Sequence, residues 1–259
     1  MNKIPDSASF RRPIPVPTAQ AATHSTGRIT WSQALELPAR TPSAVDRAVF
    51  RFRKALPDFT WNAAALEGNT FTLPEVRTLL DGVTVGGKRL AEAEQILALR
   101  DAINLLTDLV SSGDFRLDKH TSDLIHAQVA RHEAIEFGKF RGEGNVAGGG
   151  HVQLTDGGRI EGIPAAELPR DYANLMTALA SISDPVVRAM VYFCSATRSQ
   201  FYFDGNKRTA RLMMAGELLA HGYDAINVPY ARALEFHMAL DELFTTDDAT
   251  EMMLFLGSC

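Results

Sequence analysis

Cysteine is nearly missing from this sequence. Only Cys194 and Cys259 occur among its 259 residues, too few and too far apart for a disulfide framework or a thiolate metal site. Long apolar runs are missing as well. No stretch approaches the ~20 residues a helix needs to cross a bilayer, and the first residues lack the apolar centre of a secretory leader. Excess positive charge is the third absence. With 26 Lys and Arg against 31 Asp and Glu, the net charge is −5, which argues against a protein whose main task is gripping nucleic acid. The expectation is a cytoplasmic protein in a reducing compartment, with neither a membrane nor a nucleic acid as partner. What remains is an ordinary globular composition, 46% hydrophobic and 22% charged, long enough for one domain with a sizeable core.

Residues 1–43 are rich in Pro, Ala, Ser and Thr and read as an irregular arm, with Trp31 and Leu35–Leu37 available to pack onto the body. From there helical spacing dominates. Val45, Val49, Phe52 and Leu56 fall on one face, and a short helix follows over about 58–68, stopped at Gly68-Asn69. Thr72 with Glu75 three residues on, and Pro74 between them, marks the next start. Ala93, Ile96, Leu99, Ile103, Leu106 and Val110 stripe a long helix over 89–110, and another spans 118–132. Periodicity then fails over 138–163, where glycine is dense. Short alternating pieces about Asp156-Gly157-Gly158 give a β-hairpin signal there. Helices resume at 165–182, 185–200, 207–221, 230–243 and 247–257. There are no internal repeats. The fold class is mainly α, a helical domain over 44–259 carrying one hairpin.

The densest chemistry lies in QFYFDGNKRTAR, residues 200–211. Asp204 precedes Gly205-Asn206, and Lys207, Arg208 and Arg211 follow. A glycine in a tight loop opening a helix leaves backbone N–H groups and the positive dipole end free for an anion. Arg208 and Arg211 share a helical face, and two guanidinium forks beside that end suit a polyphosphate. Asp204 can hold a divalent cation between phosphate oxygens. A capped loop with solvated arginines is the other reading of these residues.

The string resembles the signature of the Fic (Fic/Doc) family, His-x-Phe-x-Asp/Glu-Gly-Asn-Gly/Lys-Arg-x-x-Arg. It matches at Asp204, Gly205, Asn206, Lys207, Arg208 and Arg211, while Gln200 stands for the histidine and Tyr202 for the phenylalanine. The resemblance implies a helical fold, ATP and Mg²⁺ as nucleotide and metal, and AMP transfer to a hydroxyl of a target protein, here unidentified. Phosphate binding would fall to Gly205, Asn206, Lys207, Arg208 and Arg211, and metal binding to Asp204. Lys207 is similar to the Doc branch, which transfers phosphate rather than AMP; a variant side chain aimed outward is the other reading. Residues 59–97 are similar to the segment before the catalytic core in many family members. Glu67 and Gly68 match the inhibitory motif Ser/Thr-x-x-x-Glu-Gly/Asn, with Ala63 in the hydroxyl position. That similarity implies Glu67 bonds Arg211 and blocks the nucleotide's γ-phosphate. The hairpin lies where the family keeps its target-binding flap, with Gly150, His151 and Val152 as contacts.

Gln200 is the conflict. A glutamine amide offers hydrogen bonds but cannot take a hydroxyl proton at neutral pH. Among the other histidines, His126 and His132 share no clean face and His221 sits at a helix end, so none is an evident substitute base. Three functions stay open: a slow or altered transferase, a nucleotide-binding module without catalysis, and a scaffold. Assembly into a homo-oligomer is left open too.

Overall fold

The computed structural model describes residues 23–26, 28–145 and 147–259. Ten α-helices and two short hairpins make up its regular α and β elements. The helices are α1 (Val45–Lys54), α2 (Leu56–Ala65), α3 (Leu73–Leu80), α4 (Leu90–Ser112), α5 (Lys119–Val129), α6 (Leu168–Ser181), α7 (Pro185–Ser199), α8 (Asn206–Ala220), α9 (Ala233–Thr246) and α10 (Thr250–Gly257). The strands are β1 (Thr23–Thr26), β2 (Ile29–Ser32), β3 (His151–Gln153) and β4 (Arg159–Glu161), each consecutive pair antiparallel. The mainly α expectation holds.

Helices α7 and α8 form the centre. Every residue from Ala189 to Gln200 is buried, as is every residue of α8 up to Leu219 except Lys207. A helix covered on all sides cannot show an amphipathic stripe, so its polar residues must find partners inside the fold. Helix α4 covers α8 with Ile96, Leu99, Ile103, Leu106 and Val110, all buried. The approach is close at Gly216, where an added Cβ would lie 2.7 Å from Leu106 Cδ1 and would also meet the Phe115 ring just beyond α4. The starts of α3 and α7 follow their capping signals. The Thr72 amide donates to Glu75 Oε2 at 2.7 Å, and the Val186 amide to Asp184 Oδ1 at 2.7 Å.

One boundary differs from the sequence reading. Residues 1–22 lie outside the described residues, but the arm is not wholly irregular, because Thr23–Thr26 and Ile29–Ser32 pair as an antiparallel ribbon. Ile29 and Trp31 alternate inward along β2 and are buried. The Thr30 amide donates to Asp247 O at 2.9 Å and Thr30 O accepts from the Ala249 amide at 2.8 Å, which fastens β2 to the α9–α10 turn. A two-stranded ribbon is marginal alone; docking on the bundle satisfies its outer edge.

Candidate functional site

Helix α7 ends at Gln200 because that residue turns left-handed, with φ 54° and ψ 61°. Five residues later Gly205, at φ 72°, serves as N-cap of α8 and offers no side-chain cap. The N–H groups of the first α8 turn therefore point into the loop without a side-chain acceptor from the cap residue. The space for glycine's missing side chain is taken by α5, since an added Cβ would sit 3.3 Å from Ala130 Cβ.

The loop is held by groups that bond its backbone. Asn206 Oδ1 accepts from the Tyr202 amide at 2.8 Å, and its Nδ2 donates to Tyr202 O at 2.8 Å and to Gln200 Oε1 at 3.1 Å. The other end of the Gln200 amide donates to Thr197 O at 2.6 Å. Gln200 is buried with both ends of its amide engaged. Tyr202, where phenylalanine was the family's residue, hides its ring and sends its hydroxyl to Ser122 Oγ at 2.7 Å and Asp123 Oδ1 at 2.9 Å, which removes the cost of burying it.

Glu67 fills the cationic side of the loop. It lies in the turn after α2 rather than within a helix reaching 68, and Gly68 at φ 88° lets the chain turn away. Its Oε1 accepts from Arg211 Nη2 at 2.9 Å and its Oε2 pairs with Lys207 Nζ at 2.8 Å. Arg211 also donates from Nη1 to Ala63 O at 3.3 Å, while its buried Nε has no acceptor. Burial alone would raise the Glu67 pKa; Lys207, Arg211 and Arg208 outweigh it and hold the carboxyl near 2. Lys207 thus points at the inhibitory-motif glutamate rather than outward. Asp204 is different. Its side chain is 57% exposed, and Oδ1 accepts from the Gly205 amide at 2.6 Å. Among the described residues no three His, Cys, Asp or Glu side chains gather as a metal site. One exposed carboxylate fits a Mg²⁺ that draws its other ligands from phosphate and water.

Glu133 and Arg141, which the sequence did not single out, and His126, weighed there only as a substitute base, prove central to the geometry. Glu133, just beyond α5, grips Arg208 through both carboxylate oxygens, at 2.7 and 2.5 Å. His126 accepts from the Gly138 amide at Nδ1, 2.9 Å, so its Nε2–H donates to Asp204 O at 2.8 Å; burial pushes its pKa down to about 4. It also stacks on Tyr202, with centroids 3.8 Å apart. It holds the loop, with both ring nitrogens engaged. Arg141 donates from Nε to Gln200 O at 2.7 Å and from Nη2 to Ile163 O at 2.7 Å and Ser199 O at 3.3 Å. A cation at the C-terminal end of α7 is favoured by the helix dipole. No local spacing announces these roles, which arise from packing between distant segments.

The flap meets the loop here. A cavity of about 220 Å³ is lined by His151, Val152 and Gln153 from β3 together with Gln200, the start of α8 and Glu67. Gly150 precedes β3 at φ 72°, its O accepting from the Gly162 amide at 2.7 Å, and a Cβ there would collide with Arg141. The cavity is smaller than the ~300 Å³ at which ligand pockets usually begin.

No family model matches the chain. Among curated proteins, the chain is similar to the protein adenylyltransferase Fic of Drosophila willistoni, 27% identical over 225 residues, covering 84% of this chain and 43% of that protein. The Aedes aegypti protein of the same name is 27% identical over 230 residues, covering 87% and 44%. The chain spans less than half the length of these relatives. Among solved structures, a Fic domain containing signaling protein from Bacteroides thetaiotaomicron superposes with a TM-score of 0.66 at 21% identity, over 88% of this chain and 87% of that one. A Fic family protein from Desulfovibrio desulfuricans gives 0.63 at 20% identity, over 86% and 73%. Both of these structural likenesses concern the fold alone.

Proposed function

Since the chain belongs to the Fic family, we propose that it binds ATP with Mg²⁺ at the α7–α8 junction and transfers AMP to a protein hydroxyl, slowly, with Glu67 as a resident inhibitor. One observation carries this reading. The Glu67 carboxylate already sits between Lys207 Nζ and Arg211 Nη2 at the start of α8, so an anion occupies the place where phosphate oxygens would find the same donors. Asn206 and the first-turn amides, with Gly205 making room, would hold the phosphates beside those cations. Asp204 would hold Mg²⁺, which supplies charge neutralisation on the phosphates when bound. His151 and Val152 would pair with the target's backbone, and Gly150 would let the strand lie against Arg141.

Gln200 sets the rate. Its amide cannot accept the hydroxyl proton and is bonded at both ends, so it contributes position rather than base catalysis. Lacking a general base costs on the order of 10²–10⁴-fold, while orientation and charge stabilisation remain. The same two bonds favour a second reading, a module that binds nucleotide and signals by moving Glu67 without transferring anything.

ATP labelled on the α-phosphate, incubated with the protein and a matched lysate, separates the two. Glu67→Gly should uncover weak α-label on protein, and Glu67→Gly with Gln200→His should strengthen it by roughly 10²-fold. Nucleotide binding by Glu67→Gly without label in either variant supports the module. No binding at millimolar ATP would refute both.

A further inference from the structure

Three cations surround the start of α8, and two glutamates share them unequally. Glu67 takes one contact each from Lys207 and Arg211. Glu133 takes Arg208 alone, fork to fork, at 2.7 and 2.5 Å. Arg208 is 4% exposed and Glu133 21%, so water screens this pair weakly and its charges cancel at short range. Paired in this way, Arg208 brings less net charge to the cavity it lines than Lys207 or Arg211, although its guanidinium still acts on Glu67 at longer range. Arg211 differs. It is 2% exposed and its Nε has no acceptor, so its donor capacity is not used up by Glu67 and Ala63 O. Lys207 holds a single carboxylate oxygen by one ammonium contact, on a flexible stem that can turn to another anion.

We propose that Glu133 is a positioning residue that locks and neutralises Arg208, so that the phosphate-reading charge in this chain comes from Lys207 with Arg211. The inference rests on the nucleotide-binding reading above and gives Arg208, which that reading leaves without a role, a structural one. By position in the signature, Arg208 and Arg211 stand as the phosphate pair; the geometry moves the first role to Lys207. Arg208 then acts as a strut between α8 and the end of α5, beside the His126 bond to Asp204 O and the Ala130 contact at Gly205. Lys207 restores the positive charge that Glu133 removes. A small neutral residue at 207 would leave Arg211 as the one cation near the phosphates without a dedicated partner, once Glu67 swings out.

Calorimetric titration of Mg·ATP decides the matter, in a Glu67→Gly background so that the resident carboxylate does not compete. Adding Glu133→Gln keeps the side-chain shape and leaves Arg208 charged. Binding should tighten by roughly three- to tenfold, with a steeper salt dependence. Adding Lys207→Met instead should weaken binding by about tenfold or more. If Glu133→Gln weakens binding, or leaves it unchanged, Glu133 is not a neutraliser and the proposal fails. The same holds if Lys207→Met leaves the affinity unaltered, a measurement that stands even if Glu133→Gln does not fold. Absence of Mg·ATP binding in the Glu67→Gly parent would overturn the nucleotide reading and this inference together.

Discussion

Replacing Glu67 with glutamine should destabilise the protein by an amount that depends on pH in a defined way. The wild-type carboxyl is held near 2 against an ordinary value of 4.5. That difference corresponds to about 3 kcal/mol of native-state preference for the ionised form. A glutamine keeps the volume but leaves Lys207 and the buried Arg211 facing an amide, and breaking a buried ion pair from one side is costly. The sign follows from proton binding. Between pH 4.5 and 2 the unfolded chain holds a proton on Glu67 that the native state refuses, so the contribution is complete above pH 4.5 and drains away as pH falls towards 2. Urea melts of the wild type and Glu67→Gln at pH 7, 5.5, 4 and 3 provide the assay. The expected gap is about 3 kcal/mol at pH 7 and unchanged at 5.5. It should narrow at 4 and be much reduced at 3. Saturating Mg·ATP should close part of the pH 7 gap, because a phosphate in the variant takes up the cations the carboxylate has left. A gap under about 1 kcal/mol at pH 7, or one that stays constant with pH, would refute the description of Glu67 as a buried anion in a cationic seat.

Two further outcomes concern how the loop is held. His126 is neutral in the fold with a pKa near 4, so the unfolded state alone takes up its proton between pH 6.5 and 4. Stability should decline as pH falls through that window, and His126→Gln should flatten that part of the melting-temperature profile; an unaltered profile would exclude the histidine as its source. Arg141→Gln should strip the Gln200 and Ile163 carbonyls of their donors, while Ser199 O keeps the Ile163 amide, with a loss of roughly 2 kcal/mol. Limited proteolysis should then cut first within 145–158, and a cleavage pattern like that of the wild type would show that Arg141 does not anchor the flap.

The cradle was readable because its meaning is local. Gly205 needs only its own φ to open α8, and Lys207, Arg208 and Arg211 need only helical spacing to stand near one another. The contact from Glu67 to Arg211 spans 144 residues and was expected through resemblance alone, since nothing in the α2 segment by itself distinguishes a buried anion from a surface acid. Glu133 and Arg141 lay beyond reach for the same reason. Each sits in an irregular segment without periodicity, and its partner is chosen by how α5 and the flap base pack on α7 and α8. The ribbon of Thr23–Thr26 and Ile29–Ser32 was hidden by its composition. Thr-His-Ser-Thr carries little apolar alternation, and Ile29 and Trp31 become informative only against the α9–α10 turn that bonds Thr30.

Position 200 closes α7 with its main chain. Its amide bonds Ala196 O, its carbonyl accepts from Arg141, and its left-handed backbone sets the direction of the loop. None of those duties belongs to the side chain, and histidine is among the residues that tolerate this backbone region comparatively well. Reactivity at this point is therefore separable from architecture. A lineage bearing this scaffold could gain or silence a proton acceptor by one substitution at the end of a helix, giving up the side-chain bonds to Thr197 O and Asn206 Nδ2 while the main-chain frame of the loop stays as it is.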